Sequence, residues 1–138
     1  MISDPDLDIS SLPEDVLDRL HYGLSNFDIY KCGLSLLLDD LPYATSEAAR
    51  RVYLIESGYW VNELEPGYFD ASIDTTFALY EKGRLCKGFL SGARTAPPYH
   101  ARHLPWYLSL ADLDEEQTNY INTCSQDSSF IQILKGER

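Results

Sequence analysis

His100 and His103, in His100-Ala101-Arg102-His103, are the most metal-like pair in the chain, because neutral imidazoles are common zinc ligands. Zinc takes three or four protein ligands, however, and the following carboxylate, Asp112, is nine residues further on. Pro97, Pro98 and Pro105 also argue against a long helix that would stack the two rings on one face. The expectation is no metal and no cofactor, with both histidines solvated in a loop. Cys86 and Cys124 would be nucleophiles only if the fold brought a histidine to them. No local feature activates either thiol, and a buried, inert cysteine is the commoner state. Gly88-Phe89-Leu90-Ser91-Gly92 reads G-x-x-S-G, not the G-x-S-x-G of a nucleophile elbow, and the proline-rich stretch after it cannot be the helix that motif requires. No P-loop, dinucleotide-binding glycine pattern or H-E-x-x-H motif occurs. No catalytic residue is assigned.

Paired carboxylates are the other route to chemistry, since glycosidases and nucleases both use them. Asp39-Asp40 and the cluster Asp112, Asp114, Glu115 and Glu116 supply such pairs. The second group opens an expected helix, where the macrodipole favours negative charge by about 0.3–1 kcal/mol. Asp39 and Asp40 close an expected helix, at the wrong end of its dipole. They therefore have no local structural reason to be there, which makes them the more suggestive pair.

Charge bounds the function further. The 138 residues carry 22 acidic and 11 basic side chains, a net charge of −11. No Asp or Glu lies between Lys82 and Ala111, a stretch that holds Lys82, Arg84, Lys87, Arg94, Arg102, His100 and His103. Arginines interleaved with Phe89, Tyr99, Trp106 and Tyr107 suit single-stranded nucleic acid. Against this stand the overall charge and six acidic residues among the first twenty, which oppose approach to a polyanion. The simpler expectation is that these cations pair with the protein's own acidic helices. No apolar run approaches the ~20 residues of a membrane helix. Met1-Ile2-Ser3-Asp4 has no basic or apolar leader pattern, and three widely spaced cysteines fit reduced thiols. A cytoplasmic protein with no membrane association is expected.

The elements that must position these groups read as mainly helical. Residues 1–10 form an extended arm and 11–138 a single globular domain. Ser11-Leu12-Pro13-Glu14 has the form of a helix start, with Leu17, Leu20 and Leu24 at helical spacing. Residues 27–41 are apolar nearly all round and are expected to be the central helix of the bundle. Helices are also expected near 45–57 and 112–124, and a loop over 90–105; residues 72–80 read as a helix capped by Ser72 or Asp74, or else 76–89 as a small hairpin turning at Lys82-Gly83. The alternative is an α+β fold, with a sheet of segments 76–81, 84–89 and 129–134.

An acidic domain with ten tyrosines and two tryptophans has the makings of a protein-binding surface. Aromatics serve as anchors, and carboxylates steer a cationic partner. Bacterial immunity proteins for nuclease toxins and nucleic-acid-mimicking inhibitors present surfaces of this kind, a likeness of surface and not of motif. The expectation is therefore an inhibitor that neutralises a basic partner, such as a toxin or nuclease. Its binding residues would be Asp39, Asp40, Asp112, Asp114, Glu115, Glu116, Tyr59, Trp60 and Trp106, with Tyr43 and Tyr68 as further candidate anchors. The alternatives are a small enzyme with a His/carboxylate site near residues 82–107, and a non-catalytic subunit or adaptor.

Overall fold

The computed structural model describes residues 1–41, 47–73, 77–83, 91–108, 111 and 113–123. It is an α+β protein built on a mixed sheet, not the helical bundle expected. In chain order the elements are β1 (Leu7–Asp8), α1 (Val16–Asn26), β2 (Lys31–Leu36), α2 (Glu47–Glu56), a 3-10 turn (Ser57–Trp60), β3 (Glu63–Glu65), β4 (Tyr68–Asp70), β5 (Ala78–Tyr80), β6 (Gly92–His103), a second 3-10 turn (Leu104–Tyr107) and α3 (Glu115–Thr123). The strands lie in the order β3-β4-β6-β2-β5, and β1 pairs with β6 off that path.

The largest correction is at 27–41. Its centre is not a helix but β2, a strand whose six residues are all buried. A segment that is apolar on every side carries no 3.6-residue period, and a strand covered on both faces produces the same run. What decides is the neighbours: β2 pairs in parallel with β6 and antiparallel with β5, so both its edges are used. Gly33 permits the second pairing. A Cβ there would stand 2.8 Å from the Phe77 carbonyl oxygen and 2.8 Å from the Ala78 Cβ.

The expected loop over 90–105 is likewise overturned, because most of it is β6, the longest strand described. Its prolines do not break the sheet. The pairing with β2 jumps from Leu34↔Thr95 to Ser35↔His100, so residues 96–99, including Pro97 and Pro98, bulge out of that ladder where no N–H is required. The Thr95 hydroxyl donates to the Tyr99 carbonyl at 2.6 Å and braces the bulge.

Three expected helices are present in shorter form as α1, α2 and α3. α1 starts after the predicted Ser11 cap, and α3 opens with a reciprocal box. The Asp114 carboxylate accepts from the Gln117 N–H at 2.7 Å, and the Gln117 side chain accepts from the Asp114 N–H at 3.0 Å. Of the alternative sheet, 76–81 contributes β5; segments 84–89 and 129–134 lie outside the described residues, and so does the second half of the expected hairpin. The N-terminal residues join the sheet twice, through an Ile2–Ala78 bridge and through β1 on β6. Buried Leu20, Cys32, Leu34, Tyr68 and Ala93 form the heart of the core, continued by Leu36, Val52, Ala101 and Trp106.

Candidate functional site

Helix α2 buries Ala49 and Val52 against the core, yet its next three residues face outward. Leu54 is 66% exposed, Ile55 55%, and Tyr53 39%; Val61, after the 3-10 turn, is 72% exposed. Single exposed apolar residues are ordinary, but four within nine positions make this stretch of chain unusually apolar where it meets water. Tyr53 also lines a cleft of about 330 Å³, with Leu37, Leu38, Asp39, Ser57, Trp60 and Pro97. Three pieces of chain meet there: the segment leaving β2, the α2 end with its 3-10 turn, and the bulge of β6. Trp60 packs on Phe69 with ring centroids 5.4 Å apart, and its indole nitrogen is buried without a hydrogen-bond partner among the described residues.

Of the anticipated binding residues, the fold brings Asp39 and Trp60 into this cleft, Asp39 exposed at its rim. Tyr59 sits beside them, half-buried, with its ring 4.2 Å from the Arg94 guanidinium. Trp106 is buried in the core, its ring 4.9 Å from that of His103. Asp114, Glu115 and Glu116 border a different, acidic hollow with Leu113, Thr118, Asn119 and Asn122. Asp112 and Tyr43 lie outside the described residues, as do Cys86 and Cys124; Tyr68 is fully buried. Tyr53, Leu54, Ile55 and Val61 were not singled out from sequence. The signal existed, since four consecutive apolar residues from Val52 to Ile55 sweep about 300° of a helix, more than one packed face can cover.

Asp40 is not free for a partner. Its Oδ2 accepts from the Arg102 Nε at 2.8 Å and from the second guanidinium nitrogen at 2.5 Å, while Oδ1 accepts from the Tyr107 hydroxyl at 2.7 Å. The premise of a helix C-terminus also falls, because Asp39 and Asp40 follow a strand. Arg94 is paired too, with Glu56 at 2.7 Å. These two cations of the basic segment are thus matched by the chain's own carboxylates; Arg84 and Lys87 lie outside the described residues.

Burial alone would push the Asp40 carboxyl up, but hydrogen bonds from Tyr107 and Arg102 outweigh it and hold it below the ordinary 3.8. A depressed carboxylate contributes stability above its unfolded pKa that is lost as pH falls through the folded value. Asp40→Asn is therefore expected to flatten the acid limb below about pH 4 in thermal unfolding. An acid limb identical to wild type would show that the contact carries no linked stability.

His100 and His103 occupy the same strand three positions apart, so they face opposite sides of the sheet and cannot share an ion. Burial raises the Cys32 thiol to about 12, which leaves it unreactive at neutral pH. No family model, no curated protein and no solved structure matches the chain.

Proposed function

We propose that the protein acts by stoichiometric association with a basic protein, an inhibitor-like role, docking it on the cleft and exposed apolar residues at α2. The observation that carries this reading is the exposure of Tyr53, Leu54, Ile55 and Val61 on α2 and just after its 3-10 turn, with Tyr53 reaching into a cleft that has Trp60 in its wall and Asp39 on its rim. An aromatic anchor in a partly enclosed cleft is the usual centre of a protein interface. The surplus of carboxylates over cations, with Arg94 and Arg102 already neutralised internally, leaves the protein's field negative and suited to steering a cationic partner. The reading takes the cytoplasm as its setting, which the unpaired, buried thiol of Cys32 supports. No helix among the described residues is long and apolar enough to cross a membrane.

The test compares wild type with Leu54→Asp/Val61→Asp, whose substituted side chains are exposed and leave the core intact. A specific partner should be basic, bind in fixed stoichiometry, and lose about 2 kcal/mol of affinity or more, roughly thirtyfold, against the double variant. Raising salt from about 50 to about 500 mM should slow association far more than it speeds dissociation. Glu115→Lys/Glu116→Lys should cut the on-rate without touching the cleft; Asp114 is spared because it caps α3. An acidic partner, an on-rate indifferent to salt, or equal affinity for Leu54→Asp/Val61→Asp would overturn the reading.

A further inference from the structure

The chain's N-terminus lies against the far end of β6. β1 pairs there in antiparallel register, Leu7 opposite His103 and Asp8 opposite Arg102, and the Leu104 N–H donates to the Asp6 carbonyl at 3.0 Å. Asp4 and Asp6 flank Pro5 at the turn that leads into β1, and this turn brings both carboxylates to His103. One donor atom from each of Asp4, Asp6 and His103 lies within 4.8 Å of the other two. The His103 Nε2 is 3.6 Å from the Asp6 Oδ2, an ion-pair separation too long for a hydrogen bond. The other oxygen, Asp6 Oδ1, is buried and has no hydrogen-bond partner among the described residues. The Asp6 side chain as a whole is 42% exposed, so the covered oxygen is a lone pair within reach of a cation from solvent.

We propose that Asp4, Asp6 and His103 hold a divalent first-row transition ion of the zinc or manganese type, tying the N-terminal segment to β6. The donor set selects the ion. An imidazole beside two carboxylates favours a transition ion over magnesium or calcium, which prefer oxygen alone. Metal–ligand bonds of about 2.0–2.2 Å put donor atoms about 3.0–3.5 Å apart, so donors within 4.8 Å of one another need close by at most about 1.3–1.8 Å. His103 is held for the role by the Trp106 ring, 4.9 Å away. The site stands independently of the docking surface, since none of its residues lines the cleft.

The experiment is calorimetric titration of the full chain with zinc chloride and, separately, with magnesium chloride. The expected result is one saturable zinc ion per chain, bound more tightly than magnesium, with a rise in thermal midpoint. Asp6→Asn and His103→Gln should each weaken zinc by about tenfold or more and abolish the rise. Should His103→Gln fail to fold, the half-buried Asp4→Asn reads the same loss. Cobalt gives a second measurement: in Trp60→Phe, where Trp106 is the remaining tryptophan, an ion on His103 should quench fluorescence. Absence of saturable zinc binding, magnesium binding as tight as zinc, or affinity unchanged in Asp4→Asn or Asp6→Asn would overturn the proposal. So would an unquenched Trp106.

Discussion

Alanine in place of Arg94 is expected to lower stability by about 3–5 kcal/mol, because it leaves a buried carboxylate without its counter-ion. The Arg94 side chain is 4% exposed and that of its partner Glu56 is 12% exposed. One guanidinium nitrogen donates to Glu56 at 2.7 Å, Nε donates to the Ser72 carbonyl at 2.8 Å, and the group lies 4.2 Å from the Tyr59 ring. Every one of these contacts joins β6 to α2, its 3-10 turn or the segment after β4. Truncation removes them all at once. Glu56→Ala should cost a similar amount by stranding the cation. Arg94→Met combined with Glu56→Leu should recover most of the loss, since a buried ion pair is worth little more than apolar packing of similar volume. Urea unfolding of the four proteins in a double-mutant cycle measures this. An Arg94→Ala protein within about 1 kcal/mol of wild type would mean that the pair is solvated in solution. The cycle also bears on the proposed function, because this pair holds the α2 end against the sheet and so fixes the cleft wall that carries Trp60.

Tyr68→Ala is the second large effect, also about 3–5 kcal/mol, the usual cost of removing a large buried ring. Tyr68 is fully buried on β4. Its ring stacks on Tyr22 at 5.8 Å, meets Phe27 edge-on at 5.2 Å and carries the Arg19 guanidinium 3.9 Å from its centroid. Its hydroxyl donates to the Arg19 carbonyl at 2.6 Å. The same arginine donates to the Gly67 carbonyl at 3.2 Å, closing the turn between β3 and β4, where Gly67 has a φ of 90°. Tyr68→Phe keeps the ring and should cost only about 1 kcal/mol, the value of one hydrogen bond. Burial raises the phenol to about 12 from an ordinary 10. A raised pKa means stability that is complete below the unfolded value and lost as pH climbs from 10 towards 12. Wild type should therefore lose stability across that alkaline window, and Tyr68→Phe should lose less. Equal alkaline limbs in the two proteins would show that another group titrates there.

The charged contacts show how far the sequence could be read. That the basic segment would pair internally was legible, because it holds no acid of its own within an acidic chain. Which acid serves which base was not: Arg94 meets Glu56, Arg102 meets Asp40, and His103 stands against Asp4 and Asp6 from the opposite end of the chain. Sequence separations of 38 and 62 residues are invisible until strands pair. The anchors divide the same way. Trp60 and Trp106 look alike as residues, and packing alone made one a cleft wall and the other core.

By itself, then, the sequence determined what depends on neighbours along the chain. Helices α1, α2 and α3 close their hydrogen bonds within a few residues, so local signals such as the spacing of Leu17, Leu20 and Leu24 announce them wherever they pack. Net charge and the lack of a long apolar helix are likewise sums over residues. Tertiary structure decided everything that needs a distant partner. A strand's hydrogen bonds are made by other strands, so β2 could pass for a helix until β5 and β6 lay on either side of it. Pro97 and Pro98 could pass for loop residues until the register jump put them outside the ladder. The cleft exists for the same reason: its residues are drawn from positions 37 to 97, and only the sheet brings them together.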